Sequence, residues 1–288
     1  MSFILEKPQA KFNAMFNGWL ENYLGECAKN SYHHPILLES QKYSLNSGGK
    51  RFRPFVTYLV YEMFSVEFKN IRSLCLALEM VHTYSLIHDD MPCMDNDDLR
   101  RGKPTNHKVY GEAMALLAGD GLLTDVFYLL SSDHEISYEI RIKLISMLSI
   151  QIGSFGMVSG QAQDMAANKD IKLDALKTIH NLKTANLIEA AAVGAAIVAE
   201  VSDEELHLVM EYSHCLGMSF QIKDDILDAN DKDQDHKSYL TLLGLEKTEV
   251  ELKRYSDRAL AALQNLAKYD KKTTYLEEMV KMNIQRDA

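Results

Sequence analysis

The chain is poor in everything that breaks or staples a fold. Its 288 residues include five prolines, fourteen glycines and four cysteines. Cys27, Cys75, Cys93 and Cys215 show no CxxC or zinc-like spacing, so a disulfide scaffold and a zinc ribbon are set aside in favour of reduced cytosolic thiols. No Asn-Gly or Asp-Gly pair separates alternating apolar runs, and the hairpin signature of a β protein is missing. No fixed-period repeat and no Gly/Ser/Pro-rich linker divides the sequence, which points to a single domain over residues 1–288. Basic charge is scarce as well: 31 Lys and Arg against 41 Asp and Glu leave −10, which argues against a nucleic-acid partner. The first residues are too short and too charged a stretch for a secretory signal. The most apolar run, Ala190 to Ala199, is about half a membrane span. The expectation is a cytoplasmic protein with no span.

What the chain does have is helical periodicity. Leu76, Met80, Thr83 and Ile87 fall at i, i+4, i+7 and i+11, and Leu206, Val209, Met210, Ser213, Leu216, Gly217 and Phe220 follow a similar pattern. The expected class is all-α, built from long helices. The alanine-rich segment Ala185–Val201 reads as close helix packing around a shared core. Each of the two periodic runs ends in a cluster of aspartates, Asp89, Asp90, Asp95, Asp97 and Asp98 in one and Asp224, Asp225 and Asp228 in the other. Two such charges ~4 Å apart cost about 4 kcal/mol at an effective dielectric near 20. Hard oxygen ligands suit Mg²⁺, which binds one or two carboxylates together with substrate phosphates. A metal–diphosphate site is the leading reading.

Spacing refines it. Asp224 and Asp228 are four apart and share one helix face, with Gln221 on the neighbouring stripe. Asp89 and Asp95 are six apart, ~240° around an unbroken helix. Pro92 disfavours a regular helix there and allows the chain to swing Asp95 back. Basic residues flank both ends of this region. Gly48-Gly49-Lys50-Arg51-Phe52-Arg53-Pro54 places a flexible turn before a helix start, where Lys50 and Arg53 suit phosphate oxygens. It does not match a P-loop. Arg100 and Arg101 follow the first acidic cluster, either as surface partners worth under ~1 kcal/mol or as phosphate ligands. His82 alone is an ordinary helical histidine, and Lys183-Thr184 an ordinary exposed pair.

Together these residues resemble the trans-isoprenyl diphosphate synthases, most nearly those of the bacterial farnesyl type. The likeness covers residues 43–244 through GGKRFRP, HTYSLIHDDMPCMDNDDLRRGKPTNH, LAGDGLLT, GQAQD, LKT and FQIKDDILD. It implies an all-α fold of antiparallel helices around a central cavity and a homodimer. It implies head-to-tail condensation of isopentenyl diphosphate with dimethylallyl and geranyl diphosphate, through an allylic cation, to (2E,6E)-farnesyl diphosphate. Three Mg²⁺ would be held by Asp89 and Asp95 with Asp90, and by Asp224 with Asp225 and Asp228. Lys50, Arg53, His82 and Arg101 match isopentenyl diphosphate contacts. Arg100, Lys183, Gln221 and Lys237 match allylic diphosphate contacts, and Thr184 with the Lys183 carbonyl would face the cation. Tyr84, about 7.5 Å of helix rise before Asp89, and Ser85 beside it match the positions that set product length. The chain departs from the family after Asp228: the loop is short, a Gly-flanked lysine is missing with Lys232 as its candidate replacement, and Ser238-Tyr239-Leu240 stands where Thr-Tyr-Pro is usual.

Other readings remain at this point. Geranyl or geranylgeranyl diphosphate is the alternative main product. A terpene cyclase would carry an Asn/Ser/Glu second motif, a metal-dependent diphosphate hydrolase leaves GGKRFRP unexplained, and a non-catalytic homologue would be expected to lose an Asp motif.

Overall fold

A computed structural model describes residues 3–168, 170–228 and 237–286. Helices α1 (Phe3–Lys29), α2 (Pro35–Leu45), α3 (Phe52–Phe64), α4 (Arg72–Asp89), α5 (Asn106–Tyr110), α6 (Glu112–Ser131) and α7 (Tyr138–Ile152) come first. There follow α8 (Met157–Ala166), α9 (Leu173–His180), a π-helical turn (Asn181–Ala185), α10 (Asn186–Val198), α11 (Asp203–Leu227), α12 (Tyr239–Leu243), α13 (Leu245–Ala267) and α14 (Thr274–Gln285). The all-α class expected from periodicity is correct. One small ribbon escaped that reading: β1 (Leu99–Arg100) pairs antiparallel with β2 (Lys103–Pro104). Its turn is Arg101-Gly102, both at positive φ (54° and 75°), the geometry that a two-residue hairpin needs.

The chain forms two compact units. The N-unit comprises Gln9–Phe55 and Lys69–Ile145, and the C-unit Met1–Pro8, Val56–Phe68 and Ser146–Ala288. In the N-unit, α4 packs on α6. Residues 73 to 81 of α4 are all buried, as are Thr83, Tyr84 and Ile87. Each such Leu or Met side chain contributes about 1.5–3 kcal/mol on burial. Small residues Ala115, Ala118 and Gly119 on α6 let the helices approach closely. A Cβ on Gly119 would lie 2.1 Å from His88 Nε2.

In the C-unit, α11 packs on α10, α13 and α14. Its start is fixed by a capping box, in which Ser202 and Glu205 satisfy each other's backbone N–H groups, with Asp203, Glu204 and Glu205 at the favoured N-terminal end. Of the stripe expected on α11, Val209, Ser213, Leu216 and Gly217 are buried, Leu206 and Phe220 are half-buried, and Met210 is exposed. The alanine-rich segment, now α10, is buried on nearly every face.

By length and composition two stretches, Glu112–Ser131 and Tyr138–Ala166, are apolar enough to cross a membrane. The second is interrupted at residues 153–156, and the first buries one side against α4. The run Ala190–Ala199, singled out from sequence, lies in the core helix α10 and the turn after it.

Candidate active site

Both acidic clusters sit at helix C-termini. Asp89 is the last residue of α4 and Asp90 caps it, while Asp224 and Asp225 lie in the last turn of α11 and Asp228 caps that helix. This is the negative end of the helix dipole, where each carboxylate is disfavoured by roughly 0.3–1 kcal/mol unless a cation neutralises it.

In the N-unit the chain leaves α4 and folds back through Pro92. The Asp95 N–H donates to the Asp89 carbonyl at 2.9 Å, and Asn96 takes φ 55° to complete the reversal. Asp95 therefore returns to the end of α4, whereas its side chain is exposed. Asp90 is turned inward. Arg100 Nε donates to its Oδ1 at 2.8 Å, and Arg100 Nη2 reaches both Asp90 and, at 3.2 Å, Asp97. Burial raises the Asp90 pKa and Arg100 opposes that rise.

The glycine pair before α3 has a specific use. Gly48 and Gly49 take φ of 88° and 113°, and a Cβ on Gly49 would lie 2.5 Å from an Arg101 guanidinium nitrogen. Arg101 lies on this turn and donates to the Gly48 carbonyl. Arg51, the middle basic residue of GGKRFRP, is committed to the fold: it pairs with buried Glu79 and donates to the Leu45 carbonyl. Lys50 is exposed beside the turn, and Arg53 lies half-buried in the first helical turn. His82 lines a recess with Arg100 and Arg101. Burial holds its pKa well below the usual histidine value, and Arg53, Arg101, Arg51 and Arg100 push it further down. With Arg51 paired to Glu79 and Arg100 to Asp90, the charges of Arg53 and Arg101 near a neutral imidazole leave the recess positive and suited to an anion.

On the other side of α4's lower half, Tyr84 is buried with its ring edge-on to His88, centroids 5.8 Å apart. Among the described residues its hydroxyl has no hydrogen-bond partner, and burial, then Asp89, pushes its pKa up to about 12. Ser85 bonds back to the His82 carbonyl at 3.0 Å.

The C-unit holds a pocket of about 130 Å³ lined by, among others, Asp164, His180, Lys183, Thr184, Gln221 and Lys237. Lys183 and Thr184 lie in the π turn, a widened turn often found at functional sites. Two glycines seat it: a Cβ on Gly160 would lie 2.5 Å from the Lys183 nitrogen, and one on Gly217 would lie 2.7 Å from Ala185 Cα. Thr184 Oγ1 donates to Gln221 Oε1 at 2.8 Å, and Gln221 Nε2 donates to Asp225 Oδ1 at 3.3 Å. Asp225 Oδ2 accepts the Tyr239 N–H at 2.7 Å. Asp225 is thus a buried clasp for the start of α12, and burial raises its pKa to about 7. Asp224 is held differently. Arg286 Nη1 lies 2.7 Å from Asp224 Oδ1, its Nη2 donates to the Phe220 carbonyl at 2.8 Å, and its guanidinium covers the Phe220 ring.

The carboxylate oxygens at both helix ends are hard donors of the kind that suit Mg²⁺. Among the described residues no three His, Cys, Asp or Glu side chains converge into a ready-made cage. Protein cations already stand in at one carboxylate of each cluster, Arg100 at Asp90 and Arg286 at Asp224. Lys232, the candidate replacement for the missing loop lysine, lies outside the described residues, as does the rest of 229–236.

Three residues were missed from sequence. Asp164 stood in the GQAQD motif with no role, and neither His180 nor Arg286 was assigned one.

Comparison with known proteins places the chain in a family. The polyprenyl synthetase family matches residues 34–248. The chain belongs to that family. It is 43% identical over 248 residues to the farnesyl diphosphate synthase of Bacillus subtilis (strain 168), covering 81% of this chain and 84% of that one. It is 42% identical over 248 residues to geranylgeranyl pyrophosphate synthase 7, chloroplastic, of Arabidopsis thaliana, covering 80% of this chain and 70% of that one. The crystal structure of a geranyltransferase from Legionella pneumophila superposes with a TM-score of 0.89 at 32% identity, over 98% of both chains.

Proposed function

We propose that the chain is a Mg²⁺-dependent prenyltransferase, one catalytic domain over residues 1–288, condensing isopentenyl diphosphate with dimethylallyl and then geranyl diphosphate to (2E,6E)-farnesyl diphosphate. The prenyltransferase class follows from family membership and from relatives at 42–43% identity. Those relatives include both farnesyl and geranylgeranyl synthases, so the C15 product rests on Tyr84. The observation that carries the reading is the pair of acidic helix C-termini, each with one carboxylate already neutralised by a guanidinium.

Asp89, Asp95, Asp224 and Asp228 would hold the ions, three in number, with Asp90 and Asp225 buttressing them. Bound Mg²⁺ supplies the Lewis acidity that turns diphosphate into a leaving group. Lys183, Lys237 and Arg100 hold oxygens of the allylic diphosphate. Lys50, Arg53, Arg101 and neutral His82 hold isopentenyl diphosphate. The Thr184 hydroxyl, oriented by Gln221, and the Lys183 carbonyl present fixed dipoles to the allylic cation. The double bond of isopentenyl diphosphate attacks that cation, and the departing diphosphate takes the proton. Holding both reactants in register supplies much of the rate.

Incubation with labelled isopentenyl diphosphate and each primer, with sizing of the dephosphorylated alcohols, is expected to give C15 and no product in excess chelator. Phosphate release without a new carbon–carbon bond sinks the reading in favour of a hydrolase.

A cytoplasmic homodimer is part of the same proposal. Val109, Leu116, Leu117 and Tyr128 on α5 and α6 are exposed, an apolar strip suited to a second copy. Sedimentation should give twice the 32.7 kDa chain mass; a monomer at working concentration removes the dimer.

A further inference from the structure

The motif GQAQD, Gly160 to Asp164, has no part in the chemistry above, yet it lies against the π turn. Gly160 lets α8 touch the Lys183 backbone, and one turn later Asp164 reaches the ammonium groups of two lysines. Its Oδ2 is 2.5 Å from Lys183 Nζ and its Oδ1 is 2.9 Å from Lys237 Nζ. Lys237 Nζ also donates to the Asp164 carbonyl at 2.8 Å, near the C-terminal end of α8 where a cation is favoured. The carboxylate is mostly buried, at 18% exposure, and its pKa is lowered by the two lysines against the effect of burial. Three separate parts of the chain meet on this one side chain: α8, the π turn and the residues before α12.

We propose that Asp164 is a positioning residue, whose carboxylate and carbonyl fix the ammonium groups of Lys183 and Lys237 where the allylic diphosphate is received. This rests on the assignment of those two lysines to that diphosphate. A lysine is a point charge on a flexible stem, and it loses rotamer freedom when it grips a ligand. Two lysines held in advance have already lost that freedom. The trio keeps one net positive charge, so it still attracts an anion. The competing view is that Asp164 only repels diphosphate and competes for the lysines. The two views predict opposite signs when the charge is removed.

The test is Asp164→Asn in the full chain, with separate KM values for the allylic and isopentenyl substrates. The allylic KM is expected to rise about tenfold, the scale of one charge-assisted contact. The isopentenyl KM and Tm should stay near wild type, and Asp164→Glu should recover part of the loss. In a Lys237→Gln background the cost of Asp164→Asn should shrink, since residues acting through one another are not additive. A lower allylic KM in Asp164→Asn, an equal rise for both substrates, or additive costs in the cycle would overturn the proposal. If Asp164→Asn does not fold, the same cycle with Asp164→Glu decides, because that change displaces the carboxylate without removing it. Lys183→Gln and Lys237→Gln that both leave the allylic KM unchanged would instead sink the lysine assignment, whatever Asp164 does.

Discussion

Asp89→Asn and Asp224→Asn are each expected to lower the condensation kcat by about a thousandfold, the equivalent of ~4 kcal/mol and the scale of Lewis-acid stabilisation by one ion. The amide keeps the size of the carboxylate and removes its charge; at Asp224 it also loosens the Arg286 pair, and the Mg²⁺ dependence separates ligation from that contact. Both residues lie at the end of a helix where nothing in the local backbone favours an anion. Raising Mg²⁺ should recover part of the loss, because the weakened site fills by mass action. Asp98→Asn is the contrast within the first cluster. Asp98 is exposed and paired with Lys108 at 2.7 Å, and its pKa is lowered by that hydrogen bond. Its removal should leave kcat within about twofold, as for other surface pairs. Single-turnover kinetics across a Mg²⁺ titration reads all three variants. Full activity in Asp224→Asn would remove the second acidic cluster from the metal site.

Tyr84→Ala is expected to move the product from C15 to C20 or longer. Tyr84 is buried on α4, five residues before Asp89, so a chain growing away from the diphosphate along that helix meets its ring. Truncation also leaves a cavity, costing about 3–5 kcal/mol as for other large aromatics, so Tm should fall by several degrees. The hydroxyl has no hydrogen-bond partner among the described residues. Tyr84→Phe should therefore keep both product length and stability, which separates the ring's bulk from its polarity. Chromatography of the dephosphorylated alcohols decides. An unchanged product in Tyr84→Ala would leave the ring as core packing alone.

The helices and the acidic clusters were legible because they depend on local pattern. An apolar stripe at 3.6-residue spacing needs no tertiary information, and neither does the break that Pro92 introduces. The return of Asp95 to Asp89 was likewise readable from six residues of spacing and one proline. The hairpin at Arg101-Gly102 was missed because an arginine is an unusual choice for positive φ; the neighbouring glycine was the only cue. Division of labour within a motif was not legible at all. Lys50, Arg51 and Arg53 look alike in sequence, but buried Glu79 claims Arg51 for the fold. Asp224 and Asp225 are adjacent, yet only Asp225 points to the Tyr239 backbone and Gln221. Asp164 and Arg286 acquire meaning through partners 19 and 62 positions away, respectively, beyond the reach of any spacing rule.

The π turn at Asn181–Ala185 bears on how this gene can change. A π turn accommodates one residue more than an α-helical turn, so side chains after it point about 100° away from where an unbroken helix would send them. Thr184 faces Gln221 within that offset. Loss of a single codon here would let the helix run on undisturbed while swinging the hydroxyl off its partner. The number of residues between His180 and Asn186 therefore bears on the Thr184–Gln221 contact as directly as their identity does.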